Sequence, residues 1–147
     1  MCGSYEPLAP SLLPPLYVAY STEISKPIQS HGDLRARFNC GDQAVMRAMH
    51  RFAELTVQAL ESLLAGDHAM FGALMNANFD LRATICTIPA NQRDMIARAR
   101  AAGATAAFSG SGGAIVGTFP EDATFARLEQ TLGEISCKVI RPQVLPG

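Results

Sequence analysis

The sequence predicts an α+β fold: a mostly antiparallel four-stranded sheet with helices covering one face. Three observations lead there. The apolar periodicities run in the order strand, helices, strand, strand, helix, strand. The two middle strands are joined by a short glycine-rich stretch, Ser109-Gly110-Ser111-Gly112-Gly113. The chain has 147 residues, 48% hydrophobic and 17% charged, enough for one domain with a real core.

Residues 1–15 carry four prolines and no helical period, and read as a lead-in segment to a domain over residues 16–147. Residues 16–20, Leu-Tyr-Val-Ala-Tyr, have the apolar, aromatic and β-branched character of a short buried strand. A polar loop follows to Gly32, and Asp33 is placed to cap a short helix that ends near Gly41. Asp42 opens a longer helix. There Met46, Met49, Ala53, Val57, Leu60 and Leu64 recur at steps of three and four, and form one apolar stripe. Gly66 ends that helix and Asp67 caps the next, so a helical hairpin is expected. Phe71, Leu74, Leu81 and Ile85 continue the pattern, with Asn78 among them, and Met46, Met49, Met70 and Met75 read as core. Pro89 starts a helix that Gly103 ends. Residues 104–108 and 114–119 are two strands, 122–132 a helix and 137–141 a last strand.

Composition excludes several functions. The net charge is −1, and the ten Arg and two Lys are scattered, so there is no basic stripe for nucleic acid. The first basic residue is Lys26, and the apolar run at 16–20 is too short to span a bilayer. A cytoplasmic protein with no membrane segment is expected. Cys2, Cys40, Cys86 and Cys137 form no CxxC pair, and His31, His50 and His68 make no ligand cluster. They read as reduced thiols and ordinary imidazoles, with no metal site in this chain.

The candidate chemistry sits in the glycine-rich stretch. Gly110, Gly112 and Gly113 can take positive φ and leave backbone N–H groups uncovered, and such groups can cradle an anion. No Gly-Lys-Ser/Thr follows, and Ile115 stands where GxGxxG needs its third glycine. The spacing therefore allows either an anion cradle or a plain tight connection. Ser109 and Ser111 read as turn hydroxyls bonded to local backbone. Asn78, Asp80 and Arg82 lie together on one helix. They are either a satisfied amide beside a surface ion pair or a polar face towards a substrate. Arg35, Arg37 and His31 are either solvated surface groups or contacts to a phosphate or carboxylate in a cleft. No His and carboxylate stand ready to activate a serine.

Residues 103–117, "GATAAFSGSGGAIVG", resemble the third motif of the GHMP kinases, the family of galactokinase, homoserine kinase and mevalonate kinase. "LLPPLYVAY" at 12–20, "HGDLRARFNCGD" at 31–42 and "LMNANFDLR" at 74–82 are similar to its glucuronokinase-containing sugar-kinase branch. The resemblance runs from about residue 5 to residue 144 and implies a ferredoxin-like C-terminal domain. It implies that Ser109, Gly110, Ser111, Gly112 and Gly113 border the phosphates of ATP. It also implies that Asn78, Asp80 and Arg82, with Arg35 and Arg37, face a small sugar, Arg82 being able to hold a sugar carboxylate through two parallel hydrogen bonds. The cofactors implied are ATP and Mg²⁺. The family's main phosphate loop, PxxxGLGSSA, has no match here, and Ala107 stands where relatives often carry Lys. The expectation is therefore half of a kinase, with no catalytic residue of its own and inactive alone, whose partner is an N-terminal GHMP domain in a second chain or lost by truncation. The alternative is a non-enzymatic ferredoxin-like module for ligand binding or homodimerisation.

Overall fold

The computed structural model describes residues 7–22 and 30–145, with no account of the side chains at 30–32. Cys2 and the His31 side chain lie outside the described residues. The elements are a 3₁₀ turn at Pro10–Leu12, then β1 (Leu16–Ser21), α1 (Ser30–Asn39), α2 (Gln43–Leu64), α3 (His68–Ile85) and α4 (Ala90–Ala101). β2 (Ala107–Phe108), β3 (Ala114–Thr118), α5 (Asp122–Gly133) and β4 (Cys137–Ile140) complete the chain. The sheet order is β2-β3-β1-β4 and each neighbouring pair is antiparallel. β1 and β3 fill the centre, while β2 and β4 form the edges, which is the ferredoxin-like arrangement that the family resemblance implied.

Alternation along the strands decides what is buried. Ala19 lies opposite Ile115 on one side and Val139 on the other, and Tyr17 lies opposite Gly117. Tyr17, Ala19 and Ile115 are fully buried, and they pack with Phe79, Met95, Ala99, Leu128 and Leu132 into the main core. α3, α4 and α5 thus cover one face. On the opposite face Tyr20 and Ile140 are exposed.

Local signals set the joints. Asp42 accepts hydrogen bonds from the Ala44 and Val45 amides and so caps α2. Asp67 accepts from the Met70 amide at the start of α3. Between those helices Gly66 has φ 71°, its N–H bonds to the Leu63 carbonyl and that of Asp67 to the Ser62 carbonyl. This paired closure leaves a connection of three residues.

Several expectations change. α1 begins at Ser30, so Asp33 sits in its first turn instead of at its cap, where a carboxylate still favours the positive end of the helix dipole. The lead-in contains the Pro10–Leu12 turn, and the His68 ring nitrogen lies 3.1 Å from the Leu12 carbonyl. The largest correction concerns α2. Its buried face is Val45, Ala48, Leu55 and Leu63, whereas Met49, Val57, Leu60 and Leu64 of the expected stripe are exposed. Met70 is exposed too, so neither it nor Met49 is core. α2 carries two apolar stripes, and the short connection at Gly66 selects the one that faces α3. No helix among the described residues is long and apolar enough to cross a membrane.

Candidate functional site

The glycine-rich loop stands on an unusually close strand crossing. Tyr17 donates its hydroxyl to the Thr105 carbonyl at 2.7 Å, and burial pushes its phenol well above the ordinary range, with Arg100 acting weakly against that. A Cβ at Gly117 would overlap the Thr105 carbonyl, so only glycine lets the backbone of residue 105 lie there. The Thr105 hydroxyl accepts from the Thr118 amide at 2.9 Å. The Ala106 amide is taken by the Asn76 side chain at 2.8 Å. These bonds shorten β2 to two residues where the sequence predicts a strand over 104–108.

Beyond Phe108 the chain turns back within four residues, closed by the Ser109 amide on the Ala114 carbonyl at 3.0 Å. Gly110, Gly112 and Gly113 have φ of 91°, 118° and 81°. The Gly113 carbonyl accepts from the Ser21 amide at 3.2 Å, and the Gly110 carbonyl accepts from Arg82 Nη1 at 2.8 Å. The N–H groups of Gly110, Ser111, Gly112 and Gly113 donate to no acceptor among the described residues. Two of the loop's carbonyls are thus bonded while its four amides are open, an arrangement of donors that is able to meet an anion. The hydroxyls of Ser109 and Ser111, expected to bond local backbone, make no hydrogen bond to a described residue; the loop is closed by backbone groups instead.

α3 grips this edge at three successive places. Asn76 holds the Ala106 amide, Phe79 meets Phe108 edge-on with ring centroids 5.1 Å apart, and Arg82 holds Gly110. The helix steps by three residues while the strand steps by two, so one helix face follows one strand edge. The Arg82 guanidinium also lies 5.7 Å from the Phe108 ring centre. Arg100 of α4 adds bonds to the Asn76 carbonyl at 3.0 Å and to Asp80 at 2.8 Å. Beside the grip lies a cleft of about 250 Å³, lined by Leu55 and Ala59 of α2, Leu74 and Asn78 of α3, and Ala107 and Val116 of the sheet.

The sequence candidates therefore divide. The loop residues and Arg82 come together, and Asn78 opens on the adjoining cleft. Asp80 is paired with Arg100. Arg37 works elsewhere, bonded to Asp42 at 2.9 Å and to the Ile85 carbonyl at 2.8 Å. This bond, with the capping amides, holds the Asp42 carboxyl below its ordinary range. Arg35 is exposed and pairs with no described residue. Asn76 and Arg100 escaped the sequence reading. "MNANFD" displays two asparagines, and only the phase of α3 against β2 tells them apart. Among the described residues no three His, Cys, Asp or Glu side chains gather to hold a metal ion.

The fold is that of solved small-molecule kinases. It matches L. major mevalonate kinase in complex with R-mevalonate with a TM-score of 0.74 at 22% identity, over 89% of this chain and 44% of that one. It matches Streptococcus pneumoniae phosphomevalonate kinase with a TM-score of 0.66 at 15% identity, over 87% and 41%. Residues 59–135 match the family described as GHMP kinases C terminal, and the chain belongs to that family. In sequence it is 35% identical over 129 residues to glucuronokinase 1 of Arabidopsis thaliana, and 35% identical over 129 residues to the probable glucuronokinase 2 of the same plant. These alignments cover 86% of this chain but 36% and 35% of those proteins, so the chain spans about a third of their length.

Proposed function

We propose that this chain is the C-terminal half of an ATP-dependent sugar kinase that phosphorylates glucuronate to glucuronate 1-phosphate. The observation that carries the reading is the run of four open amides at residues 110–113, backed by a guanidinium on the loop's own carbonyl. Phosphoryl transfer is governed by positioning and by stabilising charge on the phosphoryl oxygens, and a row of fixed N–H donors supplies both without a charged side chain in contact. When bound, MgATP brings the phosphoryl group to be transferred.

The residues present fit one side of that task. The amides of Gly110, Ser111, Gly112 and Gly113 donate to phosphate oxygens, and Asn78 offers its amide to sugar hydroxyls from the neighbouring cleft. The Mg²⁺ ligands, the main phosphate loop and the catalytic base belong, in this reading, to an N-terminal GHMP domain that packs against this one. The likeness to glucuronokinases supports glucuronate as the acceptor, and a cytoplasmic location goes with it.

The test is ADP release from MgATP and glucuronate, measured for the chain alone and mixed with a polypeptide bearing the PxxxGLGSSA domain. Turnover in the mixture and none from the chain alone is the expected result. A complemented mixture that phosphorylates neither glucuronate nor another sugar would sink the reading. The exposed stripe of Met49, Val57, Leu60 and Leu64 favours a second reading, a non-enzymatic homodimerisation module. Sedimentation showing a stable homodimer indifferent to MgATP would favour it.

A further inference from the structure

Four open amides serve an anion only while their peptide planes keep the N–H groups turned towards it. In a trans peptide the carbonyl of one residue points opposite to the N–H of the next. The Gly110 carbonyl and the Ser111 N–H belong to one such plane, flanked by a glycine at φ 91° with nothing within 4 Å of where its Cβ would stand. A plane so little hindered can rotate at small cost. Rotation would present a carbonyl oxygen to the anion in place of a donor.

The group that opposes this rotation is Arg82. Its Nη1 donates to the Gly110 carbonyl at 2.8 Å from a position 28 residues earlier in the chain, while its guanidinium is steadied against the Phe108 ring. The end of the loop nearer β3 is secured separately, by the Ser21 amide on the Gly113 carbonyl. We infer that Arg82 is a positioning residue: it pins the Gly110–Ser111 peptide and thereby aims the Ser111 amide at the bound anion. One donor of the guanidinium that the sequence offers to a sugar carboxylate is thus engaged on the loop. The inference rests on the phosphate reading of the loop for its ligand, though not for the geometry of the peptide.

The test uses the full chain, labelled with ¹⁵N and ¹³C, as wild type, Arg82→Ala and Arg82→Lys, with inorganic pyrophosphate as the probe. Without ligand, Arg82→Ala shifts or broadens the Ser111 amide and Gly110 carbonyl resonances while those of β4 stay in place. Its affinity for pyrophosphate falls about tenfold, the effect of one charged hydrogen bond. Arg82→Lys recovers most of both, because one ammonium donor can hold one carbonyl. An unliganded loop spectrum in Arg82→Ala identical to wild type overturns the inference, and so does unchanged affinity despite a moved loop. Loss of affinity in Arg82→Lys equal to that in Arg82→Ala, with an unmoved loop, means that Arg82 touches the anion itself and overturns it as well. If pyrophosphate leaves the wild-type resonances of residues 110–113 unmoved, the phosphate reading fails, and the unliganded spectra alone decide whether Arg82 holds the peptide. Should Arg82→Ala fail to give a cooperative melt, Arg82→Met, which keeps an apolar stem beside Phe108 and removes the donor, makes the same comparison in a folded chain.

Discussion

Six glycines among the described residues have positive φ, and they fall into two groups of three that use the conformation differently. Gly41, Gly66 and Gly103 each follow a helix, and each bonds its own amide and the next to that helix's last carbonyls. Gly41 N–H bonds to Phe38 and Asp42 N–H to Arg37; Gly66 to Leu63 and Asp67 to Ser62; Gly103 to Arg100 and Ala104 to Ala99. Gly110, Gly112 and Gly113 have the same backbone sign, yet neither they nor Ser111 donate to a described acceptor. The lesson is that a glycine's φ does not mark a site. What separates the loop from the helix ends is the balance of donors bonded and donors left open.

That comparison can be broken in four ways. Gly117→Ala acts on the platform beneath the open group. Its Cβ would overlap the Thr105 carbonyl, so a cost of about 3 kcal/mol or more is expected, read as a loss of cooperative thermal unfolding. Asn76→Ala leaves the Ala106 amide without its partner in a fully buried residue. Its expected cost is about 2 kcal/mol by urea denaturation, together with altered resonances at residues 108–113.

Gly66→Ala and Gly112→Ala form the direct contrast. Each forces a side chain into the left-handed region at about 1 kcal/mol, but only Gly112→Ala should weaken pyrophosphate binding by calorimetry. Equal binding by both variants would erase the distinction between the two groups. The smallest effect concerns the joint after Gly41. Arg37 and the capping amides lower the Asp42 carboxyl in the folded state, so its stabilisation is complete above the ordinary carboxylate range and is lost as pH falls through the lowered value. The gap in melting temperature between wild type and Asp42→Ala should therefore be steady at neutral pH and close in acid.

Much of the fold was legible beforehand because its signals act over a few residues. Asp42 and Asp67 cap because their carboxylates reach amides two and three positions on, and the glycines at 41, 66 and 103 end helices through bonds spanning three and five residues. Gly110, Gly112 and Gly113 were legible as a tight glycine-rich loop for the same steric reason. α2 was misread because both of its stripes obey the helical period, and Leu64 on the expected one is 61% exposed whereas Leu55 on the other is 3% exposed. Periodicity reports that a face is apolar, not which neighbour will cover it.

The sequence by itself determined the α+β class, the joints between the helices and a glycine-rich loop able to turn its amides outward, since all of these follow from local sterics and short-range hydrogen bonds. The tertiary structure alone decided that Asn76 rather than Asn78 holds the edge of β2, that Asp80 goes to Arg100 and that Arg82 backs the loop. Those pairings join residues 20 to 30 positions apart, and they arise only when α3 and α4 pack along the sheet in one particular phase.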